Sequence, residues 1–298
     1  MSYCRKNSLG SLLETKPIVS VITPTRNRPD LLEQSVKVLE AGTKLNYEHI
    51  IVANDPTPET RELCNRLSKK KNCKIILNES NESYSYSNNQ AVEASKGEIL
   101  CFLNDDVLLE NGCLESMIKT MNEREAGIVG TNLFFPDGTI QHVGVLFRSN
   151  LLPMHAFYGF DPKFLSGLFG RDSKQLVVTG ACLMIKKSLF NKLGGFDERF
   201  FYGLEDVDLC LKAKFSGESI WLSGDANGIH HEHASGDISG KPNYKNVLLF
   251  YRKWALKLIG KYPRIFIGWR DYKVIDELLS KSSIIDHKIE KRRFWKVF

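Results

Sequence analysis

The sequence predicts an α/β fold in which helices flank a mostly parallel sheet. Short apolar runs alternate with stretches of helical periodicity over the first third of the chain, and parallel strands joined by crossover helices have this pattern. The runs are continuously apolar, as in strands covered on both faces. With 298 residues, 42% apolar and 26% charged, the chain has room for one large domain or two small ones.

The elements of the first part are predicted from these runs and from residues that start or stop helices. Pro29 suits the first position of a helix and Asp30 its first turn, while Gly42 and Gly97 can end helices. The predicted elements are a strand over 18–23, a helix over 29–42, a strand over 50–53, a helix over 59–70, a strand over 74–77, a helix over 87–95 and a strand over 99–103.

The pattern changes in the second part. Pro136-Asp137-Gly138-Thr139 predicts a hairpin turn, and residues 150–175, rich in aromatics and glycine, predict a long functional or mobile loop. The other predicted elements are a helix over 111–124, a strand over 127–133, a strand pair or bent strand over 177–185, helices over 188–193 and 206–216, and two short strands, at 220–222 and before His230.

The two ends of the chain differ from this central part. Residues 1–16 predict a loose polar arm, whereas residues 241–298 predict an amphipathic helical tail with 15 Lys or Arg and 5 Asp or Glu. A basic amphipathic helix is typical of contact with an anionic membrane surface. The alternative is a helix packed on the rest of the protein with its charges in solvent. Nucleic acid is not favoured as a partner, because no recognisable binding motif accompanies the charge.

Cysteine usage and hydropathy bear on the compartment. The seven cysteines form no CxxC pair, and such scattered thiols fit a reducing environment. The first residues show no apolar signal segment, and no run approaches the length that spans a bilayer. We therefore expect a cytoplasmic protein, with peripheral attachment to the inner face of the membrane if the tail binds lipid.

Two acidic clusters are the first candidates for chemistry. Asn104-Asp105-Asp106 directly follows a buried strand, and ligands bind at the carboxyl ends of strands in open α/β sheets. Adjacent carboxylates there suit a divalent cation, although an acidic turn before a helix is the alternative. Glu205, Asp206 and Asp208 follow a stretch rich in glycine and aromatics. A carboxylate at a pocket rim is a candidate general base, whereas acids in a first helical turn also stabilise the helix dipole.

The sequence also contains a histidine cluster and lacks three common motifs. His230-His231-Glu232-His233 fits no zinc motif, and on a strand His230 would point away from His231 and His233, which favours one or two ligands. An oxygen and histidine set suits Mn²⁺ or Mg²⁺, and zinc is the rival. No GxGxxG follows the first strand, and no GxxxxGK[ST] or GxSxG occurs. Dinucleotide dehydrogenases, P-loop NTPases and α/β-hydrolases are disfavoured accordingly.

In this order, the motifs resemble the inverting family 2 glycosyltransferases, especially bacterial rhamnosyltransferase-like members. The resemblance covers roughly residues 17–236. It implies the GT-A fold, with a Rossmann-like sheet. It also implies a catalytic domain over 17–240, with a nucleotide-binding half over about 17–110, an acceptor half over about 111–240, and the helical tail as a C-terminal extension.

The resemblance assigns the nucleotide-sugar site to several short segments. Pro24, Thr25 and Arg26 lie in the family's opening turn, and Asn54 and Asp55 lie where an acidic turn touches the base. The family usually has Asp where Asn54 stands, so the base contact passes to Asp55. The segment over 81–91 is similar to the family's Asn-x-Gly-aromatic … Asn-x-Gly pattern. It places Asn81 and Asn89 in the site, with Ser83 and Ala91 replacing the glycines.

The resemblance also implies the catalytic roles. Asn104-Asp105-Asp106 is similar to the metal motif, with Asp106 as the metal ligand, Asp105 as a ribose or metal contact and Asn104 in the first place. His230 matches the late histidine that completes the metal or diphosphate site, and His231 is a second candidate.

The remaining assignments concern the acceptor side. Gly180 and Ala181 match the acceptor-side element, and Glu205-Asp206 is similar to a pair in which Asp is the usual base.

The activity implied is metal-dependent transfer of a sugar from dTDP-rhamnose or a UDP-sugar to a saccharide or lipid-linked acceptor, in bacterial-type surface polysaccharide synthesis. Mn²⁺ or Mg²⁺ would be the cofactor. Two alternatives stay open. A sugar-nucleotide nucleotidyltransferase also uses a parallel sheet and metal, but would want a glycine-rich loop after the first strand. The other is a non-catalytic relative that binds nucleotide or carbohydrate.

Overall fold

The computed structural model describes residues 16–148, 150–165, 167, 169–231 and 243–262. The predicted arm lies almost wholly outside the described residues, as do Glu232, His233 and most of the tail.

Strands and helices alternate through the first part of the chain as predicted. Pro29 opens the first helix, whose buried face includes Leu32, Val36 and Leu39, and Thr57 caps the second by accepting from the Thr60 amide. The elements of this part are β1 (Val19–Thr25), α1 (Pro29–Gly42), β2 (Tyr47–Asn54), α2 (Pro58–Leu67), β3 (Cys73–Asn78), α3 (Tyr84–Ala94), β4 (Ile99–Leu103), β5 (Val107–Leu109) and α4 (Cys113–Glu123).

The second part is richer in short strands. Its elements are β6 (Ile128–Phe134), β7 (Ile140–His142), β8 (Val145–Phe147), β9 (Pro153–His155), β10 (Ser173–Gln175), β11 (Cys182–Lys186), α5 (Lys187–Lys192), α6 (Glu205–Phe215), β12 (Ile220–His230) and α7 (Tyr244–Lys261), with a 3₁₀ turn at Pro162–Leu165.

One large sheet runs through the described residues in the order β10-β12-β6-β11-β4-β1-β2-β3, with β5 on β12 and β7 on β6. The four strands β4, β1, β2 and β3 are parallel to one another. β11 enters between β4 and β6 and runs antiparallel to both, whereas β12 is parallel to β6. The predicted α/β fold is thus confirmed.

Two predicted elements take a different form. Of the residues at 177–185, those from Cys182 onward are strand, whereas the backbone of Thr179, Gly180 and Ala181 contacts His142, Asp206 and Asn104. The two short strands predicted before His230 are one strand, β12, whose pairing with β6 shifts register between Leu222 and Asn227. Such an irregularity interrupts the alternation of side chains, so the sequence pattern does not indicate one continuous strand.

The loop predicted over 150–175 also contains short regular pieces, namely β9, the 3₁₀ turn and β10. The helix predicted over 59–70 ends at Leu67.

Burial explains the continuous apolar runs. In β4, Leu100 to Leu103 are fully buried. Cys101 and Leu103 lie in one core cluster with Cys113, Leu114 and Met117 of α4, whereas Phe102 packs against Phe190 and Phe196. Six cysteines lie among the described residues, and all are free. Side chains buried on both faces hold the carboxyl end of β4 rigidly, and the candidate site begins there.

The chain divides into two compact units, Met1–Val145 with His155–Leu249, and Leu146–Met154 with Phe250–Phe298. The first contains the large sheet. In the second, Phe250, Trp254 and Leu258 are buried, and the Tyr251 hydroxyl donates to the Asn150 carbonyl at 2.8 Å. The boundary predicted at 240/241 falls outside the described residues and stays a prediction. Within the described part, no helix combines the length and the apolarity needed to cross a membrane.

Candidate active site

The candidate site is built where β4 ends and β11 begins. These two strands are antiparallel, with Leu103 opposite Cys182, and just beyond that pair the Asn104 amide donates to the Ala181 carbonyl at 2.9 Å. The predicted metal motif and the predicted acceptor-side residues are therefore neighbours in space, although they lie far apart in sequence.

Asp105 is held against the first strand. The hydroxyl of Thr25, at the end of β1, donates to Asp105 Oδ2 at 2.5 Å. Burial raises the pKa of Asp105 to about 7, the negative charge of Asp106 acts in the same direction, and the Thr25 hydrogen bond and the charge of Arg28 oppose it. Thr25 and Asp105, both predicted in the nucleotide-sugar site, thus contact each other.

Asp106 meets His230 because β5 pairs with the end of β12. Val107 lies opposite His230, and the His231 amide donates to the Asp106 carbonyl at 3.0 Å. The side chains then approach, with Asp106 Oδ1 and His230 Nε2 3.2 Å apart. Burial alone would raise the pKa of Asp106, but the hydrogen bonding and charge of His230 outweigh it and the pKa is lowered.

This pair suits a divalent cation in part. His230 Nδ1 is buried with no hydrogen-bond partner among the described residues, and Asp106 Oδ1 is buried beside His230 Nε2. A mixed oxygen and nitrogen set is what Mn²⁺ accepts. Across the described residues no three His, Cys, Asp or Glu side chains come together as a metal site. Among the described residues, Asp106 and His230 are therefore the two side chains placed to share a cation.

Asp206 lies at the start of α6, where free backbone amides and the helix dipole favour a carboxylate. Its Oδ2 accepts from the Gly180 amide at 2.8 Å, and its Oδ1 accepts from its neighbour Val207 at 2.7 Å. Leu204 takes a left-handed conformation with φ 75°, which turns the chain into this helix.

Gly180 lets the two segments approach. A Cβ on Gly180 would lie 3.1 Å from Asp206 Cβ and 3.3 Å from the Tyr84 hydroxyl oxygen, tighter than most packed contacts. The Tyr84 hydroxyl donates to the Gly180 carbonyl at 2.8 Å. Gly180 therefore brings the amide to Asp206 and fixes Tyr84 beside it.

The two acids of this helix end have raised pKa values. Burial raises the pKa of Glu205 to about 8, with the charge of Asp206 adding to it. Burial also raises the pKa of Asp206, against the lowering effect of the Gly180 and Val207 amides and of the charge of His155. Asp206 therefore has a higher proton affinity than an ordinary aspartate.

The predicted base-contact residues differ in exposure. Asn54 is buried and exchanges hydrogen bonds with Ser87 and Asn78, which join the ends of β2 and β3 to α3. Asp55 and Arg26 are exposed, and their charged groups lie 3.7 Å apart. Pro24 lies beside them at the end of β1. Asn54 thus supports the turn, and Asp55 is the acid that solvent and a ligand can reach.

Asn89 and Asn81 lie apart from these contacts. Asn89 accepts from the Phe196 amide and donates to its carbonyl, both at 3.0 Å, and also contacts Glu198. It therefore fixes the loop that precedes α6, and its role in the nucleotide-sugar site stays a prediction. Asn81 is exposed before α3.

The contacts of three residues in this region could not be predicted from the sequence. Tyr84 stands in a matched segment, but nothing predicts its contact with Gly180. His142 and His155 show no pattern at all, because they are 13 residues apart in a stretch without clear period, yet their ring nitrogens lie 2.8 Å apart. No local sequence pattern indicates this contact.

Comparisons with known proteins identify the family of the chain. The family model described as "Glycosyl transferase family 2" matches residues 20–194. The O-antigen biosynthesis protein RfbC of Myxococcus xanthus is 34% identical over 246 residues, which are 80% of this chain and 19% of that protein. The chain thus spans about a fifth of RfbC's length.

Two further similarities concern a relative and a solved structure. The N-acetylglucosaminyl-diphospho-decaprenol L-rhamnosyltransferase of Mycobacterium tuberculosis (strain CDC 1551 / Oshkosh) is 25% identical, over 74% of this chain and 78% of that protein. The structure of GalNAc-T7 with UDP, GalNAc and Mn²⁺ superposes with a TM-score of 0.60 at 14% identity, covering 73% of this chain and 44% of that one. The structural similarity supports the predicted GT-A fold.

Proposed function

We propose, from the premise that this chain belongs to glycosyltransferase family 2, that it transfers a sugar from a nucleotide-sugar to a hydroxyl of a saccharide or lipid-linked saccharide, inverting the anomeric configuration. The observation that carries the proposal is the Asp206 carboxylate, which two backbone amides hold in place. One of these amides belongs to Gly180, and the carbonyl of the next residue, Ala181, accepts from the Asn104 amide. A base and a cation-binding pair at one strand end suit a single displacement.

In this proposal Asp206 is the general base. It takes the proton of the acceptor hydroxyl while that oxygen bonds to the anomeric carbon, and the bond from that carbon to the nucleoside diphosphate breaks on the opposite face. The raised pKa of Asp206 supports the role, because a base with higher proton affinity accepts the proton more readily. Glu205, neutral below its pKa of about 8, adds no second negative charge at pH 7.

The leaving group is placed at the other end of the site. Asp106 and His230 would hold Mn²⁺ or Mg²⁺, with Asp105 or His231 as further ligands, and the ion would neutralise charge on the leaving diphosphate. Thr25 and Asp105 would face the ribose. Asp55 and Arg26, exposed at adjacent turns, would face the base and the phosphates.

The donor we propose is dTDP-rhamnose, with a UDP-sugar as second choice. The name of the mycobacterial relative, a rhamnosyltransferase that acts on a diphospho-decaprenol sugar, supports that donor and a lipid-linked acceptor. The name of RfbC, an O-antigen biosynthesis protein, supports a place in surface polysaccharide synthesis. Phe201 and Tyr202, 55% and 54% exposed just before α6, offer apolar faces to an acceptor sugar.

Helix α7 supports a peripheral contact with an anionic membrane, at the inner face in a cytoplasmic protein. Large apolar side chains stay exposed on it at Tyr244, Leu248, Leu256 and Ile259, and basic residues are interspersed with them. A helix that leaves apolar and basic side chains outward fits an interface of lipid and water. The test is sedimentation with vesicles that contain anionic phospholipid, comparing the protein with a Leu248→Glu, Leu256→Glu double variant. Equal binding would argue against the contact.

One product assay separates the candidate functions. The protein is incubated with Mn²⁺, dTDP-rhamnose or UDP-glucose, and octyl N-acetylglucosaminide. Nucleoside diphosphate released together with a glycosylated acceptor supports the transferase. Pyrophosphate formed from a sugar phosphate and nucleoside triphosphate would favour a nucleotidyltransferase. Binding of dTDP or UDP without any turnover would favour a non-catalytic relative.

A further inference from the structure

Two histidines that the proposed mechanism does not use form a close pair beside the base. His142, at the end of β7, is fully buried, and His155, at the end of β9, is half-buried. Their Nδ1 atoms are 2.8 Å apart, and the rings are nearly perpendicular with centroids separated by 5.0 Å. Two ring nitrogens at that distance share one hydrogen, so one ring donates and the other accepts.

A backbone amide decides which ring donates. The Thr179 amide donates to His142 Nε2 at 3.3 Å, so Nε2 carries no hydrogen and the neutral ring is protonated at Nδ1. His142 Nδ1 therefore donates to His155 Nδ1. Burial, together with the charges of His155 and His230, lowers the pKa of His142 well below its usual value, which keeps this ring neutral in the same arrangement.

The pair is connected to Asp206 through one peptide unit. Thr179 contacts His142, and the next residue, Gly180, donates its amide to Asp206 and accepts from the Tyr84 hydroxyl through its carbonyl. The Thr179 hydroxyl also accepts from the Ala181 amide at 3.3 Å. The Gly180 amide thus donates to Asp206 Oδ2, while the Val207 amide donates to Oδ1.

We propose that His142 and His155 are a positioning pair for the base: they fix the Thr179 amide and so hold the Gly180 amide on Asp206. The inference rests on the proposed function, in which Asp206 is the base. It assigns no contact with substrate to either histidine. Their role is to keep one backbone donor aimed at one carboxylate oxygen.

The arrangement predicts a shift in the pH dependence. Asp206 is faced by Tyr84 from α3, His155 from β9, and Glu205 and Cys210 of its own helix. Its bond to the Gly180 amide lowers its pKa. If the Thr179 segment relaxes, that bond weakens, the pKa of Asp206 rises, and a larger fraction of the base is protonated at a given pH. The acid limb of the kcat profile then moves to higher pH.

The test compares His142→Leu with His142→Gln, whose amide oxygen can accept from Thr179. With dTDP-rhamnose or UDP-glucose, Mn²⁺ and octyl N-acetylglucosaminide, the Leu variant should lose about 10- to 100-fold in kcat. Its acid limb should move up, and its KM for the donor should stay unchanged. The Gln variant should recover most of kcat and the original limb. Unchanged kcat and pH profile in the Leu variant would overturn the inference, as would equal losses in both variants without a pH shift.

A second measurement needs no turnover. In protein labelled with ¹⁵N-histidine, His142 should show a protonated Nδ1 and a bare Nε2 at pH 6 to 8, identified by the signal lost in the Gln variant. An Nε2-protonated or charged His142 would overturn the inference. If wild type shows this tautomer but transfers no sugar from either donor, the proposed function fails instead.

Discussion

Two carboxylates of the candidate site, Asp106 and Asp206, have pKa values shifted in opposite directions. Asp106, beside His230, has a lowered pKa, whereas Asp206 and Glu205, buried at the start of α6, have raised pKa values. Both carboxylates are largely buried, so desolvation acts on both. At Asp106 the hydrogen bond and charge of His230 outweigh desolvation, whereas at Asp206 the two backbone amides and the charge of His155 do not. Environments that push pKa values apart separate an anionic ligand from a proton acceptor.

Of the changes that test this contrast, replacing Asp206, the proposed general base, should have the largest effect. Asp206→Asn keeps the shape of the side chain but cannot take the proton from the hydroxyl of the acceptor sugar. Its kcat should therefore fall about 10³-fold, while dTDP or UDP binding stays unchanged. Steady-state transfer and calorimetric binding check it. Asp225→Asn, an exposed acid on β12, is the control. A near-normal kcat in Asp206→Asn would sink the assignment of the base.

Glu205→Gln should show the raised pKa of Glu205 as a change in the free energy of unfolding. The folded protein keeps a proton on Glu205 up to about pH 8, whereas the unfolded chain releases it near its ordinary pKa of 4.5. Wild-type stability should therefore fall as pH rises between those values. Gln mimics the neutral form, so the variant should be more stable than wild type at pH 8 by on the order of 3–5 kcal/mol, and similar at pH 5.

Urea unfolding at pH 5 and pH 8 measures this difference, with the exposed Glu93→Gln as control. A Glu205→Gln variant whose stability relative to wild type is the same at both pH values would contradict the prediction.

At the opposite end, Asp106→Ala should remove the dependence of nucleotide affinity on metal. Mn²⁺ should strengthen dTDP or UDP binding to wild type but not to the variant, a loss of about 10- to 100-fold, as when metal contacts are cut. Calorimetry with and without Mn²⁺ checks it, again beside Asp225→Asn. Equal enhancement by Mn²⁺ in both proteins would remove Asp106 from the metal site.

The smallest expected effect concerns the support of Asp105. Thr25→Val deletes the donor to Asp105 Oδ2, and the lost hydrogen bond, worth about 1 kcal/mol, should weaken dTDP or UDP binding several-fold. Thr25→Ser keeps a hydroxyl and should bind like wild type. Val and Ser variants with the same affinity would show that this contact does not shape the nucleotide site.

The sequence is a good guide to the first half of the fold because its strands are parallel, continuous and apolar. β1 to β4 and their helices follow directly from runs of Val, Ile and Leu. β11 could not be placed in the same way, since its insertion between β4 and β6 depends on contacts far apart in sequence. β12 was divided in two because the register shift near Leu222 interrupts its pattern.

In the candidate site too, local features follow from the sequence and long-range contacts do not. Short acidic motifs identify Asp106 and Asp206 as candidates, because carboxylates after a strand or before a helix are local features. Their environments are not local. The 3.2 Å approach of His230 to Asp106 follows from the pairing of β5 with β12, and the His142–His155 contact joins two residues in a stretch without clear periodicity.

The left-handed Leu204 offers a way to raise the stability of the protein. Outside glycine, asparagine and aspartate, residues seldom take a positive φ, and such strain costs on the order of 1 kcal/mol or more. Leu204, with φ 75°, immediately precedes the helix that carries Asp206. Asparagine at this position would relax the backbone and should raise thermal stability. Any loss of turnover in the relaxed protein would measure how far catalysis depends on that tension.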